Sequence, residues 1–244
     1  MLLGVAVAMK SAPVLLALVL VPALPGWRAR LELLVPAVLV PVLATLPWLI
    51  GDYAATHAAL TANGGVPSVG GYSVLLQPSL TGNFLLGHHA RPGSVVDWFT
   101  DHQNLIVGAA AVAAAVVAHR RRLSLFAAAS LLYLAVWAAN PNQSYQYYLW
   151  GIPFLLLAGH WRAVALLQAA LAVPALIVYP RWAVSWLQPP YVVALVAIWL
   201  GTVAWAVSYG RSASGRPRRV PGPRRARAAG PGGPGPRTGS AAPG

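Results

Sequence analysis

Apolar residues run through this chain in long stretches separated by short polar interruptions. A helix needs roughly 17 to 25 apolar residues to cross about 30 Å of hydrocarbon. Five stretches meet that length without strain: 2–24, 31–50, 123–139, 163–179 and 191–209. Two more are shorter. The run 105–118 must draw on Gln103, Asn104 and His119 near the interfaces, and the run 143–159 spans only if Gln143 enters its first turn. A helix that opens on such a polar turn faces protein or a wet cavity instead of lipid. The expected fold is therefore all-α, a polytopic transmembrane helix bundle of about seven spans over residues 1–210. Its longer polar segments are 51–104, 140–146 and 180–190.

Composition agrees with that pattern. Hydrophobic residues make up 58% of the chain and charged residues only 9%, with mean hydropathy +0.63, outside the range of water-soluble domains. The sequence holds no cysteine, so neither a disulfide framework nor a thiolate site enters the account.

The net charge of +13 changes meaning once it is placed along the chain. Eight arginines lie beyond Gly210, in a stretch dominated by Pro, Gly, Ala and Ser. Such a segment cannot bury enough apolar area to offset its ordering entropy, so 211–244 is expected to be a disordered basic tail drawn to anionic lipid headgroups. Nucleic acid is not the expected partner, because no aromatic residue interleaves these arginines to stack on bases. Arginines in short loops mark the cytoplasmic side. Arg28, Arg30, Arg120, Arg121, Arg122, Arg162 and the tail fall together, against Arg91 and Arg181. The C-terminus is then cytoplasmic, and 51–104, 140–146 and 180–190 lie outside. With an odd number of spans the N-terminus is also outside, which leads to the expectation that further helices precede Met1 in a longer protein. A single lysine amid abundant Ala, Arg, Pro and Gly fits a GC-rich bacterial genome and hence a plasma membrane.

Candidate chemistry gathers in the outer segments. The glycines between Asn63 and Gly71 read as turns; they lack the Lys-Ser/Thr of a phosphate loop and form no dinucleotide fingerprint, so no cofactor motif is evident. Residues 73–86 are amphipathic enough to lie along the interface as a short helix. His88, His89, Asp97, Asp101 and His102 form the densest ionisable group. They could bind a divalent metal or act as acid and base, but their spacing lacks the geometry of a metal motif, and the simpler reading is a Trp98-anchored interfacial segment. Lys10 is the one basic residue inside a long apolar run. It either snorkels to the outer headgroups or pairs with an anion such as a lipid phosphate in a wet cavity. Most informative is the stretch from Asn140 to Trp150, where Asn140, Asn142, Gln143, Ser144 and Gln146 precede or interleave Tyr147, Tyr148 and Trp150. Uncharged amides beside aromatic faces suit a sugar, and they suit hydrogen bonding between helices equally.

The stretch Ser144-Tyr145-Gln146-Tyr147-Tyr148-Leu149-Trp150 resembles the Ser-x-Gln-Tyr-aromatic-Leu-Trp element of GT-C type membrane glycosyltransferases, in particular the first mannosyltransferase of GPI-anchor synthesis and bacterial polyprenyl-phosphate-mannose-dependent mannosyltransferases. Gly4, Lys10 and Pro13 are similar to the Gly-x-x-x-Ala-x-Lys-x-x-Pro-like helix in the middle of those enzymes. The resemblance implies transfer of a mannosyl or other hexosyl unit from a polyprenyl-phosphate donor on the extracytoplasmic side. It also implies that Lys10 pairs with the carrier phosphate while Gln143, Ser144, Gln146 and Tyr147 contact sugar or phosphate. The family's catalytic base is an acidic residue in an outer loop upstream of the Lys-x-x-Pro helix, and Asp52, Asp97 and Asp101 do not match it. The expectation is a C-terminal portion of such an enzyme. A transporter or flippase for lipid-linked intermediates and a non-catalytic membrane scaffold are the alternatives.

Because the chain is free of cysteine, single cysteines report sidedness cleanly. Arg121→Cys is expected to react with a membrane-impermeant maleimide only after the cells are opened, and Gly93→Cys in intact cells. The reverse pattern would invert every assignment of sides made above.

Overall fold

The computed structural model describes residues 2–9, 12–61, 67, 69–85, 91–178 and 188–212. The chain divides into Met1–Ser214 and Gly215–Gly244; the second unit, and with it nearly all of the expected tail, lies outside the described residues.

Every regular element among the described residues is helical. In chain order these are α1 (Leu2–Met9), α2 (Ala17–Ala23), α3 (Gly26–Gly51), α4 (Tyr53–Thr61), α5 (Ser73–Leu76), α6 (Pro78–Leu85), α7 (Ser94–Asp101), α8 (Gln103–Arg120), α9 (Leu125–Ala139), α10 (Ile152–Leu157), α11 (Trp161–Val178) and α12 (Gln188–Ser212). Tight 3-10 turns occupy Ala12–Leu16 and Tyr145–Trp150. Among the described residues, three helices are long and apolar enough to cross a membrane: Gly26–Gly51, Gln103–Arg120 and Pro189–Arg211. Shorter apolar helices cover Pro13–Ala23, Leu125–Ala139 and Trp161–Ile177.

Two of the seven expected spans differ from continuous helices. Residues 2–24 are divided into α1, a 3-10 turn at Ala12–Leu16, where Pro13 interrupts the amide ladder, and α2. The run 143–159 is not one helix either. Gln143 and Ser144 are non-helical, the 3-10 turn follows, and α10 has only 6 residues, about 9 Å of rise.

α9 is the centre of the bundle. It is packed against α8, α12, α10 and α2 and buries nine of its 15 residues, among them Leu132, Leu134 and Trp137. Its partner α8 presents Ala111, Ala114 and Ala118 as its buried side. That three-and-four spacing puts small residues on one face, where backbones can approach closely and gain dispersion contacts that bulkier residues would forbid. Ser124 caps α9, its Oγ accepting from the Ala127 amide at 3.4 Å. On the far side of α9, Gly151 lies so close to Trp137 that a Cβ would meet the indole at 2.3 Å. This glycine lets the chain turn tightly over a fully buried ring.

α3 has a different environment. Its hydrophobic side chains, including Leu31, Val35, Val38 and Val42, are exposed, and its chief neighbour is the short α1. An apolar face of this extent belongs in lipid. Pro36, Pro41 and Pro47 stand inside it, and the Thr45 hydroxyl donates to the Pro41 carbonyl one turn back. α1 reaches α3 through Gly4, where an added Cβ would lie 2.1 Å from the Pro36 carbonyl oxygen.

The arginine-bearing ends of the helices come together. The end of α2 lies beside the end of α8 and the start of α9, around Ala118, His119 and Arg122. His160, just ahead of Arg162 and α11, places its ring 4.9 Å from Tyr209 and 6.1 Å from Trp205 near the end of α12. Burial against those rings lowers the His160 pKa from its ordinary value, because the charged imidazolium would lose hydration there.

Replacing Gly4 by leucine is expected to separate α1 from α3 with little effect on the α8–α9 core. Crosslinking between cysteines placed on α1 and α3 should fall sharply while a crosslink between α8 and α9 persists. Equal loss of both crosslinks would show that α1 is integral to the central bundle.

Candidate functional site

At the opposite end from the arginines, the loop after α9 carries the densest polar network in the described structure. α9 stops at Ala139 because Asn140 precedes Pro141, which disfavours helical backbone in the residue before it; Asn140 is accordingly extended, at φ −78 and ψ 120. Its side chain then organises the loop. Oδ1 accepts from the Asn142 amide at 3.0 Å, and Nδ2 donates to Gln143 Oε1 at 2.9 Å, the local turn that asparagine favours.

Asn142 and Gln143 are buried, at 1% and 2% exposure. Asn142 Nδ2 donates to Thr100 Oγ1 at 2.9 Å and to Gln103 Oε1 at 3.3 Å. This ties the loop to the junction of α7 and α8. Thr100 can accept because its own proton goes to the Val96 carbonyl at 2.8 Å. On the other side of the loop, the Pro141 carbonyl accepts from the Ser73 amide at 3.0 Å. Gly70 and Gly71 make that approach sterically feasible. A Cβ on Gly70 would stand 2.0 Å from the Gln143 carbonyl oxygen, and one on Gly71 would stand 2.4 Å from those of Asn140 and Pro141. Gly71 also has φ +72, where side chains are disfavoured.

The segment 73–85 thus does more than lie on a surface. It breaks into α5 and α6 at Gln77, whose Oε1 accepts from the Gly93 amide at 2.7 Å, and its Ser73, Val74, Leu80 and Thr81 are buried. Val74 forms a second small core with Ile177, Tyr191 and Leu195. Aromatic rings close the layer. Tyr72 meets Phe99 edge-on at 5.2 Å and Trp199 at 6.1 Å, and Trp199 Nε1 donates to the Ala138 carbonyl at 2.9 Å. Burial raises the Tyr72 pKa from its ordinary value, which keeps the phenol neutral.

The residues singled out from the sequence meet this layer unequally. Gln143 is enclosed, with its Oε1 engaged by Asn140 and its Nε2 buried without a hydrogen-bond partner among the described residues. Ser144 is half-buried and opens the 3-10 turn, its carbonyl accepting from the Tyr147 amide at 3.0 Å. Tyr147 is half-buried, its ring 5.1 Å from Trp150. The backbone of Gln146 belongs to the turn Tyr145–Trp150; its side chain, and all of Lys10, lie outside the described residues, as do His88 and His89.

The remaining ionisable residues have local roles. His102 Nδ1 lies 2.8 Å from the Trp98 carbonyl and its ring stacks on Trp98 at 4.4 Å. Asp97 sits in the first turn of α7, where a carboxylate complements the helix dipole. Asp52 Oδ1 accepts from the Ala55 amide at 3.0 Å, capping α4. Asp97 and Asp101 are exposed, and no group of three metal-ligating residues occurs among the described residues. Thr100, Gln103, Ser73 and the Gly70-Gly71 pair were not candidates on sequence grounds. Only the glycine pair gave a signal, and it pointed to a turn without naming the carbonyls that the turn would meet.

An apolar groove of about 490 Å³ runs between α11 and α12, with Thr202 and Trp205 at one end and Val173 and Ala194 at the other. Comparison with known proteins gives no matching family model, no matching curated protein and no matching solved structure.

Asn142→Ala removes the donor to Thr100 and Gln103 inside a buried loop and is expected to destabilise the fold by about 1–3 kcal/mol. Denaturant unfolding in mixed micelles would measure this, with the exposed Asn104→Ala as a control expected to stay within about 0.5 kcal/mol of wild type. An unchanged midpoint for Asn142→Ala would show that the loop does not depend on this contact.

Proposed function

We propose that the chain is the lipid-handling portion of a polyprenyl-phosphate-sugar-dependent membrane glycosyltransferase, taking a mannosyl or other hexosyl donor on the extracytoplasmic side. In this reading about seven segments insert in the plasma membrane with the C-terminus cytoplasmic, the run 143–159 entering from the outer face without crossing as a single helix. Lys10 pairs with the carrier phosphate, and Ser144, Gln146 and Tyr147 contact the sugar or phosphate. Gln143 acts from beneath by shaping the loop. The acidic base comes from outside the matching residues of this chain.

The observation that carries the reading is the interrupted segment 143–159. Non-helical backbone at membrane depth is tolerated only where protein buries it or where it borders a wet cavity. Here a buried amide loop supports a turn on which Ser144 and Tyr147 remain partly open. Hydroxyl and phenol groups beside aromatic faces offer a sugar both hydrogen bonds and stacking surface. The α11–α12 groove supplies an apolar path of a size suited to an isoprenoid chain.

Binding of a short-chain polyprenyl-phosphate mannose to the full chain in nanodiscs is the direct test. Lys10→Ala and Gln146→Ala are each expected to weaken it about tenfold, the worth of one charge-assisted or buried hydrogen bond. Unchanged affinity in both variants would remove the proposed site. Movement of the lipid-linked sugar across proteoliposome membranes by this chain alone would assign it to transport.

A further inference from the structure

We infer that the arginine end of the bundle carries a seat for one anionic phospholipid, between α2, α8 and the start of α9. A half-open cavity of about 360 Å³ lies there. Its walls are apolar, formed by Leu18 and Pro22 of α2 and by Ala115 and Ala118 of α8, and its rim carries His119 and Arg122. The small residues of α8 that allow close packing on α9 leave this space where α2 ends. An acyl chain fits the apolar walls; a phosphodiester fits the guanidinium of Arg122 and a ring nitrogen of His119, with Arg120 and Arg121 adjacent.

The backbone supplies a second, independent reason to assign a purpose to Arg122. α8 ends with the Arg122 amide donating to the His119 carbonyl and the Leu123 amide donating to the Ala118 carbonyl, each at 3.0 Å. That is a Schellman ending, and it places Arg122 at φ +52, the single positive φ outside glycine among the described residues. α10 ends in the same way: the Gly159 amide donates to Leu156 and the His160 amide to Leu155, both at 2.9 Å, and here the position is glycine at φ +87. Glycine adopts this conformation freely, whereas a side chain is disfavoured in it. The helix ending favours glycine's freedom, and because His119 and Arg120 already supply positive charge to the last turn, a further cation at this position adds little to the ending itself. What the arginine adds is a cationic side chain on a residue that lines the cavity.

The seat is at the opposite end from the amide loop and does not rest on the glycosyltransferase reading. It also differs from diffuse attraction of the tail to headgroups, since it requires an acyl chain within the apolar walls.

Two variants of the full chain test it, each titrated in a neutral detergent with dioleoyl phosphatidylglycerol and, separately, with dioleoyl phosphatidylcholine, native mass spectrometry counting bound lipids. Wild type should retain one phosphatidylglycerol and no phosphatidylcholine. Arg122→Gly relieves the backbone and should unfold no more readily than wild type, yet bind phosphatidylglycerol about tenfold more weakly. Ala115→Leu fills part of the cavity without touching a charge and should also weaken binding several-fold. Loss in Arg122→Gly alone would reduce the effect to surface electrostatics and overturn the seat. Retention in both variants would overturn it as well, and inorganic phosphate competing as effectively as the lipid would show an anion site in its place.

Discussion

Where water is excluded, a buried polar group is costly unless it finds a partner within the chain, and the loop Asn140–Gln143 is where such pairing is densest among the described residues. Asn142 bonds to Thr100 and Gln103, Asn140 braces Gln143, and the Pro141 carbonyl takes the Ser73 amide. Through these bonds three stretches distant in sequence become one layer: the glycine turn with α5, the junction of α7 and α8, and the chain from the end of α9 through the loop to the turn before α10. Unmade, each bond would leave a desolvated donor or acceptor costing about 1–3 kcal/mol. These bonds fix the layer's arrangement, and the rings of Tyr72, Phe99 and Trp199 together with the small core around Val74 close it.

Beneath that layer the bundle is held by close packing. The alanine face of α8 lets α9 approach, and α9 in turn carries the bulky side chains that fill the interior. The same preference for small residues recurs at Gly4 under α3 and at Gly151 under Trp137. In each case a missing side chain, not an added one, determines which surfaces can meet. α3, without such a partner along most of its length, keeps its apolar side chains turned outward.

The two ends of the bundle consequently differ in chemistry. One is amide-rich and aromatic, with neutral donors and acceptors largely committed to each other and a partly open turn at Ser144 and Tyr147. The other gathers arginines around helix endings, with an apolar cavity at Arg122. The two proposed ligands make different demands: a lipid-linked sugar would call on the hydroxyls and rings of the first end, and an anionic phospholipid on the cations and apolar walls of the second.

The linear order of residues was enough to establish helical class and apolar character, because both depend on composition and run length, which need no partner to be read. It was also enough to separate the arginine-bearing turns from the amide-rich ones, since charge near a helix end is a local property. The break at Asn140-Pro141 and the turn at Gly71 were legible for the same local reason. It was not enough to show that residues 143–159 do not form one helix, because an apolar run has the length to span whether or not a buried loop pulls its first residues out of register. Nor could it show that Gln143 faces inward while Ser144 is half open, that Gly70 and Gly71 exist to admit the carbonyls of a loop seventy residues away, or that Arg122 stands at a cavity formed with α2. Those facts depend on which surfaces come into contact, and contact between distant segments is decided by steric fit and by the pairing of polar groups, neither of which is encoded at any single position.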